Sequence, residues 1–382
     1  MAMADASGSE RAGGGAGAFS PWRLLGGGLA FAVLTAGIFW NQFRYIAASD
    51  DVPRWAGLQW RYLALIVLCL PVETLVSGLR IWVLSRTLHP GLGLWPCIEA
   101  ELANVAMNLL TPAHSGGGPG QVYMLSRHGV RAGTALTVSL LGFLGTMVGL
   151  LGMGLYSVLI SGLGRANALF TGSVGVLALM AVAMVMAGIE PALFRIPLGR
   201  LSRRLARLRG REDHLRDWWP PDAAPGGPPV DRLGRIASHL ADIIHTYRSD
   251  VRRFLRDGKA SFGWVCLLSL VFLFSRCLLP YLCLEFLGIR TGTLGQVIEA
   301  QMALVFLVFF APTPGGAGLA EAASLSLMAG IVPAGFAPYY NLLWRFSTAY
   351  LAATAGVLCL LHALGQDARR LFHPRDRRED QP

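Results

Sequence analysis

The sequence predicts an all-α fold: a polytopic transmembrane helical bundle of about six full spans plus two oppositely oriented re-entrant hairpins forming an inverted repeat. Three observations predict it. The chain of 382 residues is 53% hydrophobic and only 15% charged. Its apolar runs match the ~20 helical residues that cross a hydrocarbon layer ~30 Å thick. Two further apolar stretches are interrupted by loops dense in proline and glycine, Thr111 to Gln121 and Phe309 to Glu321. Such backbone survives at membrane depth only where it is buried in protein or lines a wet cavity. The third observation is an internal repeat. Displaced by 200 residues without a gap, the chain aligns Ile98-Glu99-Ala100 with Ile298-Glu299-Ala300, Pro112 with Pro312, Gly116 with Gly316 and Gly118 with Gly318, and sets Gln121 on Glu321.

Residues 1–22 are rich in Gly and Ala and are expected to be disordered. The first membrane region, 23–189, opens with a span over Leu24 to Trp40, which has no small-residue cleavage site after it and is expected to be retained. A second span covers Tyr62 to Leu84 and carries Glu73 and Arg80 on one helical face. Two charges in a span are costly, so both should face protein or water and find partners. The first hairpin, 95–127, begins with a helix whose Glu101, Asn104 and Asn108 draw a polar stripe at spacings of three and four. After the breaker loop, a second half-helix is expected to start near Gln121. Ala132 to Gly162 and Ala168 to Ala187 are the third and fourth spans.

The polar insert 190–259 places Leu198, Leu201, Leu205 and Leu208 among the arginines from Arg195 to Arg209. That pattern is a basic amphipathic helix suited to the anionic inner leaflet. A Pro/Gly-rich linker follows, then a second amphipathic helix from Leu233 to Leu255; the insert is expected to be a cytoplasmic connector on the bilayer surface. The second membrane region, 260–364, holds a fifth span (Phe262 to Leu287, with Arg276), the second hairpin (294–331) and a sixth span (Tyr339 to His362, with Arg345). Residues 365–382 form a basic tail.

With the insert placed in the cytoplasm, most arginines at the span ends fall inside, provided each hairpin enters and leaves on one side. Both termini are then cytoplasmic in a multi-pass protein of the cytoplasmic (inner) membrane. Three spans separate the hairpins, so the two enter from opposite faces, a transporter pattern whose site lies near the midplane. The six cysteines lie in or beside apolar segments with no CxxC spacing, so packed, reduced thiols are expected. No metal or cofactor is implied, and basic residues (33 against 23 acidic) set orientation rather than nucleic-acid binding.

At the midplane, Gly116, Gly117 and Gly118 and their counterparts let backbone amides approach a ligand, and the half-helix starts at Gln121 and Leu319 direct partial positive charge toward it. Arg80, Arg276 and Arg345 offer bidentate grips for phosphate. Glu73, Glu101 and Glu321 could hold these arginines apart or carry a proton. The expected substrate is a membrane lipid with an anionic headgroup.

Asn108 with Thr111-Pro112 and the glycine turn before Gln121-Val122-Tyr123, then Pro312-Thr313-Pro314-Gly315-Gly316-Ala317-Gly318 with Glu321, then Leu342-Leu343-Trp344-Arg345, together resemble the flippase-like family of the lysylphosphatidylglycerol synthase transmembrane region, over about 60 to 365. The resemblance implies translocation of phospholipids or lipid-linked precursors, with Pro314, Gly315, Gly316, Gly318, Glu321 and Arg345 as motif residues. Two departures stand out. Relatives carry an acidic residue after the first glycine pair, where this chain has Gly118-Pro119, and fused synthases carry a soluble aminoacyl-transferase domain that is not expected of this polypeptide.

The leading expectation is therefore a lipid flippase or precursor transporter working by alternating access. An alternative is a membrane-embedded enzyme acting on a lipid headgroup, with His114 and Glu321 as acid and base. A further alternative is an accessory subunit of a lipid-synthesis complex; the candidate protein partners are lipid-synthesis enzymes and, in a homodimer, a second copy of the chain.

Overall fold

The computed structural model describes residues 57–112, 114–156, 168–189, 232–309 and 311–372, together with Leu159 and scattered helical positions between Gly26 and Arg44. Most of the expected first span, residues 190–231 with the arginines from Arg195 to Arg209, and the tail beyond residue 372 lie outside the described residues.

Described residues form α1 (Trp60–Leu88), α2 (Leu94–Leu110), α3 (Gly117–Arg127), α4 (Ala132–Tyr156), α5 (Ala168–Ile189) and α6 (Arg232–Asp257). After these come α7 (Lys259–Phe286), α8 (Leu294–Phe309), α9 (Leu319–Leu327), α10 (Ala337–Arg345) and α11 (Leu351–Phe372). A short 3₁₀ turn, Ala334–Phe336, leads into α10, and a π-helical turn, Phe346–Tyr350, joins α10 to α11. There is no named strand among the described residues.

Among the described residues, four helical segments are long and apolar enough to cross a membrane: Trp60–Leu88, Ala132–Tyr156, Lys259–Phe286 and Ala334–Asp367. The chain is a multi-pass membrane protein. Leu65, Val67, Leu68, Val72 and Leu75 on α1, and Leu267, Leu270, Val271 and Phe274 on α7, are all exposed. Apolar faces this long are stable against lipid, not water.

The helix order repeats: a span, a broken hairpin and a span (α1, α2/α3, α4), then the same again (α7, α8/α9, α10 to α11), with matching helices starting within a few residues of the 200-residue offset. One element starts earlier than the sequence predicts. α3 begins at Gly117 rather than near Gln121, with Gly120 N–H already donating to the Gly116 carbonyl at 3.0 Å. Pro119 falls in the first turn, where its missing N–H would have had no helical partner in any case.

The chain divides into two compact units. One comprises 76–97 and 125–273. In it α4 is the common support: Gly133 lies against Thr246 and the Ile243 carbonyl of α6, and Gly145 and Gly149 lie against Val265 and Leu273 of α7. The amphipathic end of the polar insert therefore packs on a membrane-crossing helix as well as facing outward. The other unit comprises 1–75, 98–124 and 274–382 and holds both hairpin loops. Its core joins Ile66, Leu279, Leu284, Val297, Leu304, Ala320, Met328 and Tyr340. In the same unit α11 crosses α2 at Gly356, where a Cβ would collide with the Leu102 carbonyl.

Backbone cannot yield as a side chain can, so Gly356→Val should lower the melting temperature of the detergent-solubilised protein by an overpacking cost of about 1–3 kcal/mol or more. Gly152→Val, which meets open space, should leave it nearly unchanged. A thermal-shift comparison of the two variants checks this.

Candidate functional site at the paired hairpin loops

Two apolar helices, α2 and α8, end in loops dense in proline and glycine, and each loop supplies partners for amides and carbonyls that the helix ends leave open. The second loop uses a buried ion pair. Gly315, Gly316 and Gly318 take φ of 57°, 68° and 88°, a left-handed path that only glycine follows without strain. The Glu321 carboxylate accepts the Gly318 N–H at 2.7 Å through Oε2, capping α9, and the Arg345 Nε at 2.7 Å through Oε1. Arg345 Nη2 in turn donates to the Gly315 carbonyl at 2.9 Å. One arginine and one carboxylate thereby tie both ends of the glycine path to α10, with side-chain exposures of 4% and 0%.

The first loop uses hydroxyls. Thr111 Oγ1 donates to the Met107 carbonyl at 2.7 Å and accepts the Gly116 N–H at 2.8 Å, while Ser115 Oγ donates to the Pro112 carbonyl at 2.9 Å. Gly117 lies so close to Asn104 and Asn108 that no Cβ would fit. Those two asparagines continue the polar stripe of α2: Asn108 Nδ2 donates to Asn104 Oδ1 at 3.1 Å, and Asn104 Nδ2 to Glu101 at 3.3 Å. The expected stripe is a hydrogen-bonded relay.

The two loops meet. Pro112 and Pro314 form an isolated antiparallel bridge. The expected site residues Glu101, Asn108, Pro112, Gly116, Gly117, Gly118, Gln121, Arg276, Pro314, Gly315, Gly316, Gly318, Glu321 and Arg345 all fall in the unit that holds this bridge. Arg80 falls in the other unit, where it donates to Thr146 Oγ1 at 3.0 Å and Ser269 Oγ at 3.2 Å and lies over the Phe272 ring. Its former face-mate Glu73 instead accepts from Ser275 Oγ at 2.6 Å and pairs with Arg276 at 3.6 Å. Arg276 also donates to the Thr348 carbonyl in the π turn. With 27% of its side chain exposed, Arg276 is far more open than Arg345.

His114 marks the tip of the first loop. It is a non-glycine residue with positive φ (54°), its Nδ1 is buried with no hydrogen-bond partner among the described residues, and it lies in the field of Arg345 and Arg276. Strain of this kind collects at functional sites.

Compared with known protein families, residues 25–356 match the lysylphosphatidylglycerol synthase TM region. The chain belongs to that family. The match begins upstream of the motif-bearing stretch, at the expected first span, and the family makes this a membrane protein of lipid metabolism or transport. No curated protein and no solved structure matches the chain.

Two features of the site escape a sequence reading, and a third does not. The π turn after Arg345 has no composition signal. The Glu73–Arg276 pair joins residues about 200 positions apart with no local pattern to predict it. The third was visible in the repeat itself: Glu101 aligns with Gln301 and Gln121 with Glu321, so acid and amide exchange places between the repeats. All four are buried, and Gln301 donates to Tyr340 Oη at 3.1 Å.

Removing one partner of a buried ion pair strands the other, which costs about 3–5 kcal/mol. Glu321→Gln and Arg345→Gln should each lower the melting temperature sharply. The double variant should lose less than the sum by more than ~1 kcal/mol, because its two changes touch one contact. Strictly additive losses in a thermal double-mutant cycle would contradict the clamp.

Proposed function

We propose that this protein translocates a phospholipid or lipid-linked precursor with an anionic headgroup across the cytoplasmic membrane, by alternating access around the two hairpin loops. The observation that carries the reading is the bridge between Pro112 and Pro314. Two broken, repeat-related segments that meet backbone to backbone match the arrangement in which transporters hold substrate between opposed half-helices. The loops are taken as re-entrant from opposite faces, with both termini cytoplasmic, on the balance of arginines at the span ends.

Within the site, exposure divides the arginines by role. Arg345 is sealed against Glu321 and holds the second loop. Arg276 is open enough to reach a phosphate and has Glu73 to balance its charge when the site is empty. His114, in the field of Arg276, is a further headgroup contact, and the start of α3 at Gly117 adds its partial positive charge to the anion site. Opening one side requires the Pro112–Pro314 contact to part while each loop stays folded on its own hydroxyl or ion-pair support.

The test is reconstitution in sealed vesicles holding nitrobenzoxadiazole-labelled phosphatidylglycerol, with dithionite added outside. Active protein should expose inner-leaflet label to reduction, and Arg276→Gln should slow this about tenfold or more, since a hydrogen bond to a charged group is worth about 1.5–3 kcal/mol. Its melting temperature should shift far less than that of Arg345→Gln. Label that stays protected in vesicles with folded protein would refute transport of this lipid, and an unchanged rate in Arg276→Gln would remove that residue from the headgroup contact.

A further inference from the structure

The turn between α9 and α10 borders an open cavity of about 230 Å³ lined by Ser324, Leu325, Met328, Ala329, Val332, Ala334, Ala337, Tyr340 and Asn341. Ala329 and Ala334 are exposed and form its mouth, while Ser324, Met328, Tyr340 and Asn341 are buried and form its floor. The walls are apolar and no Asp, Glu, Lys, Arg or His lines it. A phosphate or an ammonium headgroup would find no counter-charge there.

The floor holds one unsatisfied group. Asn341 is fully buried, its Oδ1 accepts from Ser324 Oγ at 2.6 Å, and its Nδ2 has no hydrogen-bond partner among the described residues. A buried amide donor left without an acceptor costs about 1–3 kcal/mol, and Asn341 is one of the residues that line the cavity. The volume is below the ~300–1,000 Å³ of pockets that enclose a whole small ligand, so the occupant enters only in part.

We propose that this cavity seats the ester-linked start of one acyl chain of a membrane glycerolipid, with Asn341 Nδ2 donating to the ester carbonyl and Leu325, Met328 and Val332 packing on the first methylenes. The seat lies in the same unit as the hairpin loops, at the far end of α9 from the Glu321 clamp. A lipid held here is grasped by its chain rather than its headgroup. The proposal draws on the lipid-handling reading only for the source of the occupant, and its test needs no transport.

Full-length protein in lipid nanodiscs is photolabelled with two phosphatidylcholines carrying a diazirine near the start of one chain, one ester-linked and one ether-linked, and adducts are mapped by peptide mass spectrometry. The ester lipid should label residues 324–341 about fivefold more than the ether lipid, the equivalent of one hydrogen bond of ~1 kcal/mol. Asn341→Leu should abolish that preference while retaining labelling by both lipids. Should this variant fail to fold, the comparison of the two lipids on unaltered protein still decides. Equal labelling by both lipids, or adducts absent from 324–341, would overturn the proposal and leave the cavity to water. Either result can occur whether or not labelled lipid crosses vesicles in the transport assay.

Discussion

A helix that stops leaves amides and carbonyls open, and where these are buried they must find partners, a demand that both loops of this protein meet from within. The Glu321–Arg345 pair meets it for the second loop. A single carboxylate caps α9 and neutralises the arginine that holds the Gly315 carbonyl, so three hydrogen bonds and a charge balance share two side chains. Burial makes the arrangement stiff and costly to break, because either partner alone would be a stranded charge. That contact joins the glycine path, the start of α9 and the end of α10.

The first loop shows what the repeat looks like without the clamp. At the position equivalent to Arg345 the chain has Gly145, and at that of Glu321 it has Gln121. Threonine and serine hydroxyls supply the loop contacts instead, and these neutral bonds carry no stranded charge when they part. The exchange of acid and amide between Glu101/Gln301 and Gln121/Glu321 moves the buried carboxylate of each repeat from one helix of the hairpin to the other. On the proposed mechanism the second loop is the rigid wall of the site, and the first, with strained His114 at its tip, is the wall that adapts.

Much of this was legible in the residues. Apolar run length gave six expected spans, and four of them overlap helices that are long and apolar enough to cross a membrane among the described residues. The two breaker loops and their offset were legible because prolines and glycines cluster there, whereas a lone proline such as Pro71 or Pro280 sits inside a continuous helix. The broken helix after Leu110 began sooner than its composition suggested, since Pro119 is harmless in a first turn. Pairing was the illegible part. Glu73 and Arg80 share a helical face, yet they have separate partners in separate units, and helical periodicity says which side a residue faces but not what waits there. Arg345 likewise, expected as a bidentate grip for phosphate, has a side chain only 4% exposed and paired with Glu321.

The central claim is that the two loops meet at one place and must separate for lipid to pass. Directly opposed residues of an antiparallel bridge have Cα atoms about 4.5–5.5 Å apart, within the ~4.4–6.8 Å a disulfide spans. A Pro112→Cys/Pro314→Cys variant, oxidised in native membranes and mapped by mass spectrometry, therefore tests the contact and the mechanism together. The account predicts a cross-link between these two positions and lipid movement that stops on oxidation and resumes on reduction. A variant that forms no cross-link, or one that is fully cross-linked and still moves lipid at the reduced rate, would contradict it.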